Sequence, residues 1–253
     1  MNDLLSVVEK TLDEVLPRED ERPSELSQAM RYAVGTGGKR VRPLIALGAA
    51  LAAGGEAKDA AYPAAAIELL HNYTLVHDDL PSMDNDEMRR GKLTVWKKFG
   101  EVNAILAGDA LQALAFLVAS KTPNNASRVV ASLGKAGVGV VAGQVEDIAA
   151  TGDTAYIYEH KTADLFVAAA EMGALAANAD DAALAKLKTF ALNLGLAFQY
   201  EDDLLDGDSP YTRAETERLA TETTDKAIRS LENLPGDVSV LKNLASKLLG
   251  RKV

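Results

Sequence analysis

The stretch AAYPAAAIELLHNYTLVHDD, residues 60–79, decides how this chain is read. From Ala60 to Leu75 nearly every helical face is apolar, and a helix that is apolar all round is buried. A central helix of a bundle is therefore expected here. It runs into His77-Asp78-Asp79-Leu80-Pro81-Ser82-Met83-Asp84-Asn85-Asp86, where Pro81 breaks the pattern. A second acidic run, Phe198-Gln199-Tyr200-Glu201-Asp202-Asp203-Leu204-Leu205-Asp206, lies far downstream in a similar apolar setting. Adjacent carboxylates repel, and burial raises the penalty. A hard divalent cation relieves it. Magnesium takes oxygen ligands, keeps several waters and completes its shell with substrate phosphates. Two such clusters facing each other would make a magnesium–diphosphate site.

Outward from these clusters the pattern stays helical. Leu26, Ala29, Met30 and Ala33 recur at i, i+3, i+4, i+7, and Leu4, Val7, Val8, Leu12 and Val15 behave likewise. Gly, Pro, Asn and Asp punctuate the chain at residues 17–23, 35–38, 54–59, 123–125, 152–154, 178–181, 207–210 and 235–237. Between the breaks lie roughly ten helical segments of ordinary length. No two-residue hairpin signal separates alternating runs, so strands are not expected. The expectation is an all-α fold, a single large helical bundle over residues 1–253. Ala104–Ala119, apolar on most faces, is expected in its centre too.

Composition narrows the function classes. The 253 residues are 47% hydrophobic and 25% charged, the balance of a soluble globular protein. A net charge of −10 argues against a nucleic-acid partner, which calls for a basic face. The chain has no cysteine, which removes disulfides, thiolate metal sites and a cysteine nucleophile. The acidic N-terminal stretch lacks a basic-then-apolar signal pattern. The run around 44–54 is too short and too rich in Ala and Gly to span a bilayer. A cytoplasmic protein without a membrane span is expected.

Basic residues sit where a polyanion would meet the acidic runs. Gly37-Gly38-Lys39-Arg40-Val41-Arg42-Pro43 puts three cations between flexible glycines and a helix start expected at Pro43. Arg89-Arg90-Gly91-Lys92 follows the first acidic run in one short loop, and arginine forks onto phosphate oxygens. Asp202 and Asp206, four apart, share a helix face, with Asp203 beside it.

Taken together, these motifs resemble the trans-isoprenyl diphosphate synthases, in particular the bacterial farnesyl diphosphate synthase type. The resemblance runs, in the family's order, through residues 37–43, 71–84 and Arg89-Arg90-Gly91, then Lys97-Lys98-Phe99-Gly100 and 105–111. It continues through Gly143-Gln144, His160-Lys161-Thr162 and 198–206, so it covers nearly the whole chain. It implies an isoprenoid-synthase helical bundle that joins an allylic diphosphate to isopentenyl diphosphate. It also implies Mg²⁺, three ions with substrate bound. By position, Asp78 and Asp84 are the first-motif metal ligands, with Asp79 alongside. Asp202 leads the second motif, supported by Asp203 and Asp206. Arg89, Lys161, Thr162 and Gln199 would hold the allylic diphosphate. Lys39, Arg42, His71 and Arg90 would hold isopentenyl diphosphate. Catalysis would fall to Asp78, Asp79, Asp84, Arg89, Lys161 and Asp202, which stabilise a departing diphosphate without any protein nucleophile.

The resemblance also bears on product and assembly. In this family the floor of an apolar tunnel below the first motif sets chain length. Tyr73, five residues before Asp78, is similar to the bulky residue of enzymes that stop at fifteen carbons. Farnesyl diphosphate is the expected product, with geranylgeranyl diphosphate next. The family's homodimers point to Ala104–Ala119 as an interface. One departure stands out. Relatives carry a longer loop after the second motif, with a further lysine that reaches the allylic diphosphate. Here residues 207–211 pass almost directly into the next helix, expected from Thr212 to Leu231, and roughly twenty residues are missing. A class I terpene synthase would also ionise a prenyl diphosphate, but has no second diphosphate for Lys39, Arg42 and Arg90 to hold. A non-catalytic prenyltransferase subunit is the reading that the shortened loop favours.

Overall fold

The computed structural model describes residues 1–207 and 209–248. The described residues form helices α1 (Asn2–Val15), α2 (Ser24–Gly35), α3 (Val41–Ala52), α4 (Ala61–Asp78), α5 (Val95–Phe99) and α6 (Glu101–Ala119). They continue with α7 (Ala126–Ile148), α8 (Thr154–Ile157), α9 (Asp164–Ala176), α10 (Asp181–Asp206), α11 (Arg213–Ser230) and α12 (Ser239–Leu248). A 3₁₀ turn, Ala57–Ala60, leads into α4, and a π-helical turn, Tyr158–Ala163, joins α8 to α9. The fold is all-α, as the periodicity indicates, and the loops fall on the Gly/Pro breaks.

The one exception is a small hairpin. Strands β1 (Met88–Arg89) and β2 (Lys92–Leu93) pair antiparallel. Arg90 and Gly91 turn between them at φ 52° and 74°. Positive φ at both central residues is the turn that matches strand twist. The flanking residues do not alternate in polarity, so the sequence carries no strand signal here. The hairpin matters because it presents Arg89 and Arg90.

Helix α4 is the middle of the bundle. It packs on α6, α3, α9 and α1, and Ala64, Ala65, Ala66, Ile67, Leu69 and Leu70 are fully buried. Small residues let neighbours approach to backbone contact. A Cβ on Gly173 of α9 would lie 2.0 Å from the Ala46 carbonyl oxygen of α3, so only glycine fits that crossing. Helix α6 is not central in the way its composition suggests. Ala104, Ala107, Leu111, Ala115 and Val118 pack inward, while Val102, Ile105, Leu106 and Leu117 are exposed. It is 19 residues long with mean hydropathy 1.7, long and apolar enough to cross a membrane, yet its inner face is packed on α4. Helix α7 adds exposed Val138, Val141, Val145 and Ile148. Hydrophobicity alone does not distinguish a helix buried within one chain from one with an outward apolar face.

Candidate active site

Both acidic runs end long helices of one bundle. Asp78 is the last residue of α4, and Asp202 sits in the last turns of α10. After Asp78 the chain does not extend away. The Asp84 amide donates to the Asp78 carbonyl at 2.9 Å, and the Asn85 amide to the Leu80 carbonyl at 3.0 Å. Asn85 takes the left-handed conformation that this return requires, which asparagine tolerates. The Pro81 break thus folds Asp84 back toward Asp78. Burial first, then the neighbouring Asp84 and Asp79 charges, push the Asp78 carboxyl up to about 6, against the pull of Lys161 and Arg89. This is an acid that would gain from a bound cation.

Asp79 has a different setting. It is buried and receives the Arg89 Nε–H at 2.7 Å, while Arg89 Nη2 lies 3.6 Å from Asp86. Asp79 thereby fixes the arginine rather than opening toward a ligand. Asp203 is likewise engaged. Its two oxygens accept from the Tyr158 hydroxyl and from Gln199 Nε2, the latter at 2.9 Å. Being next to Asp202, it points about 100° away around the helix. Gln199 Oε1 in turn accepts from the Thr162 hydroxyl at 2.9 Å. Spacing groups Asp203 with the metal ligands; the structure gives it the work of orienting Gln199 and, through it, Thr162. Asp206 is exposed at the end of α10.

A cavity of about 650 Å³ lies on one side, lined by Lys39, Arg42, His71, Arg89, Arg90 and Asp202 among others. Arg42 Nη1 donates to His71 Nε2 at 3.2 Å, which leaves the histidine proton on Nδ1. Burial, together with the arginine charges around it, holds His71 well below the usual imidazole range, so it is neutral at pH 7. Burial also lowers the Arg42 guanidinium to about 10, and its Nε has no hydrogen-bond partner. Arg90 Nη1 donates to the Gly37 carbonyl. Gly38 is required beneath it, since its φ is +142° and a Cβ there would meet Arg90 Nη1 at 2.7 Å. Lys39 is exposed at the rim. Helix α3 begins at Val41, two residues before the expected Pro43. The reason is Arg40, which stands at φ 48° and turns inward to Glu68 and Glu9, each at 2.7 Å. Of the three cations in 39–42, Arg40 is structural, and its buried partner Glu68 gave no hint of that in the sequence.

A second cavity, about 420 Å³, lies on the other side of the α4 terminus. Tyr73, Thr74, His77, Asp78, Leu80, Ile105, Val140, Val145 and Ile148 are among its walls. Tyr73 is 8% exposed and meets His77 edge-on, with ring centroids 5.2 Å apart. His77 Nε2 lies 3.0 Å from the Ile105 carbonyl, in the space left by Gly108. Lys161 stands on the π turn and pairs with Asp147. Such turns are frequent at functional sites.

The donor set fits a hard divalent cation completed by phosphate. Asp78, Asp84 and Asp202 offer oxygen ligands, and such ions use one or two carboxylates with waters and phosphates rather than a full protein cage. In keeping with that, no group of three or more His, Asp or Glu side chains forms a ready-made cage among the described residues. The described residues between α10 and α11, Gly207 and Ser209–Thr212, are held at both helix ends. The Gly207 amide caps α10 at the Asp203 carbonyl, 2.9 Å, and the Thr212 side chain caps α11 at Glu215 N. Ser209 and Thr216 hydroxyls bond at 2.8 Å, and Tyr211 lies against Tyr200.

Comparison with known proteins agrees with this architecture. The sequence pattern of the family described as Polyprenyl synthetase matches residues 23–217. The chain is 43% identical over 218 residues to the heterodimeric geranylgeranyl pyrophosphate synthase large subunit 1, chloroplastic, of Arabidopsis thaliana. That match covers 79% of this chain and 58% of the relative. It is 42% identical over 220 residues to the farnesyl diphosphate synthase of Geobacillus stearothermophilus, covering 81% and 74%. The chain thus spans less than two thirds of the plant relative. Among solved structures, the geranylgeranyl pyrophosphate synthetase of Pyrococcus horikoshii superposes with a TM-score of 0.90 at 28% identity, covering 99% of this chain and 97% of that one. An FPP/GFPP synthase of Zymomonas mobilis gives 0.89 at 33% identity, covering 96% of each.

Proposed function

The chain belongs to the polyprenyl synthetase family, and we propose that it condenses isopentenyl diphosphate with an allylic diphosphate to extend a prenyl chain. The observation that carries this reading is the pair of cavities flanking the α4 terminus. One is lined by Arg42, His71, Arg89 and Arg90, the other by apolar side chains with Asp78 at its edge. A substrate that is half diphosphate and half hydrocarbon suits that division.

Asp78, Asp84 and Asp202 would hold magnesium, which supplies Lewis-acid stabilisation of a departing diphosphate. Lys161 and Arg89 stand beside Asp78 and act on its charge, so they would meet the same allylic diphosphate. Thr162 and Gln199, held in line by Asp203, would orient it. Arg42, Arg90, Lys39 and neutral His71 would bind isopentenyl diphosphate. Its double bond would then attack the allylic cation, and loss of a proton would complete the product. The apolar cavity would take the growing chain, and Tyr73 would limit it at fifteen carbons. Similarity to geranylgeranyl synthases supports a twenty-carbon product as the second reading.

The outward apolar faces of α6 and α7 support a homodimer, since contiguous exposed apolar surface marks an interaction site. The absence of cysteine supports a cytoplasmic setting. The test is direct: purified protein, Mg²⁺, isopentenyl diphosphate and either dimethylallyl or geranyl diphosphate, with products separated by chain length. A fifteen-carbon product supports the whole reading. A twenty-carbon product keeps the reaction and removes Tyr73 as the floor. No condensation by folded protein replaces it with a binding subunit disabled by the shortened 207–211 segment.

A further inference from the structure

One polar group in the apolar cavity has no use so far. Gln144 of α7 is 9% exposed and lines the same cavity as Asp78 and Thr74. Its side-chain nitrogen Nε2 is buried without a hydrogen-bond partner. Its neighbours along that wall are Val140, Val141, Val145 and Ile148, none of which offers an acceptor side chain. Buried donors in folded proteins are nearly always paired, so an unpaired one on a side chain that lines a cavity calls for an acceptor that arrives from outside. The preceding residue explains why the amide is held where it is. A Cβ on Gly143 would lie 2.3 Å from the Lys161 backbone nitrogen. Only glycine lets α7 lie directly on the π turn, and this contact fixes Gln144 relative to Lys161.

On the prenyltransfer reading above, we propose that Gln144 is a catalytic hydrogen-bond donor to the allylic diphosphate. A prenyl chain offers no acceptor along its length. The acceptors in the molecule are the oxygens of its head, and Asp78, on the cavity wall and within reach of the Lys161 charge, marks that end. When the C1–O bond breaks, its electron pair leaves with the diphosphate oxygen and an allylic cation remains. The isopentenyl double bond then forms the new C–C bond, and a proton passes to an oxygen of the released diphosphate, which restores an alkene. Negative charge grows on the leaving oxygen during the first step, so a donor aimed there binds the transition state more tightly than the ground state.

The test uses Gln144→Met, which keeps length and removes the donor, and Gln144→Glu, which keeps shape and reverses it. Thermal unfolding, steady-state kinetics for each substrate, and calorimetric binding of a non-ionisable thio analogue of geranyl diphosphate with Mg²⁺ are measured. The methionine variant should unfold no lower than the original, because it removes an unpaired buried amide. Its kcat/KM for the allylic substrate should fall about 10- to 100-fold, the range for a hydrogen bond to a charged group. Its KM for isopentenyl diphosphate should stay within about twofold, and product length should not change. The glutamate variant should be weaker still. Allylic kcat/KM within about threefold of the original overturns the proposal, as does an equal loss for both substrates with a lower unfolding temperature. If the original protein binds the analogue but does not condense substrates, the prenyltransfer reading fails and binding alone decides. About tenfold weaker binding by the methionine variant then supports the donor role, and unchanged binding overturns it. If the original binds no analogue, both ideas fall.

Discussion

Replacing Asp78 with asparagine should make the metal-free protein more stable while removing its proposed activity. The folded carboxyl titrates at about 6, chiefly because of burial, against 3.8 for a free aspartate. Proton affinity that differs about a hundredfold between the folded and unfolded states is worth about 3 kcal/mol. The sign follows from proton counting. Between pH 4 and 6 the folded state keeps a proton that the unfolded chain has released, so this group's contribution to stability falls as pH rises. Above pH 6 the folded protein carries the whole cost. Asparagine has nearly the same shape and no charge. The variant in EDTA should therefore exceed the original by about 3 kcal/mol at pH 7.5, or about 6–12 °C in unfolding temperature for a chain of this size. The advantage should shrink toward zero below about pH 4, where aspartate is protonated in both states. His71 contributes a slope of opposite sign. It is held neutral when folded and protonates on unfolding below about 6.5, so its contribution is lost as pH falls. It is present in both proteins and drops out of their difference. Thermal or urea unfolding of the pair from pH 4 to 8, with and without Mg²⁺ and pyrophosphate, checks this. A variant less stable than the original at pH 7.5, or a difference that does not vary with pH, would refute the picture of a buried acid awaiting a cation.

Three further outcomes are expected. Glu68→Ala leaves the Arg40 guanidinium buried without its inner partner and should cost about 3–5 kcal/mol. Glu9→Ala, whose side chain is 55% exposed, should cost under about 1 kcal/mol. Urea titration of both separates the two partners, and equal losses would count against Glu68 as the anchor. Tyr73→Ala should lengthen the product by at least one five-carbon unit, seen by chromatography of the hydrolysed alcohols; an unchanged product would place the floor elsewhere. Val138→Asp, at an exposed position of α7 outside the apolar cavity, should convert a dimer to monomer by light scattering. A dimer that persists would move the interface away from that face.

Much of the fold was legible because helices announce themselves locally. Among the described residues the Gly/Pro breaks used above fall between α-helices or at their ends, and α11, expected from Thr212 to Leu231, has those two residues as its caps. The hairpin at 88–93 was not legible, since two-residue strands carry no periodicity. Of the site, the positions of Asp78, Asp202, Arg42, His71 and Arg90 follow from motif order. Their partners do not, because partners come from distant segments. Arg40 looked like a phosphate cation and is clasped by Glu9 and Glu68, 31 and 28 residues away. Asp203 looked like a ligand and is held by Tyr158, 45 residues away. Gly143-Gln144 was visible as a motif, but an unpaired amide is a property of surroundings and appears only once the helices are packed.

These partnerships bear on what the short 207–212 connection costs. Residues 207–212 hold no lysine, so the proposed allylic diphosphate would rely on Lys161 and Arg89. Both are already paired: Lys161 with Asp147, and Arg89 with Asp79 and Asp86. The pairs differ in kind. Lys161 and Asp147 are 34% and 43% exposed, so exchanging that carboxylate for a phosphate oxygen costs little. Asp79 is 4% exposed at its side chain, and abandoning it would strand a buried charge. Arg89 must therefore bind while its Nε keeps Asp79, using Nη1 and, on release of the exposed Asp86, Nη2. Lys161 is the cation that moves and Arg89 the one that stays. With the mobile charge supplied by the π turn, the connection after α10 need not carry one, and Tyr211 packed on Tyr200 can close that corner instead.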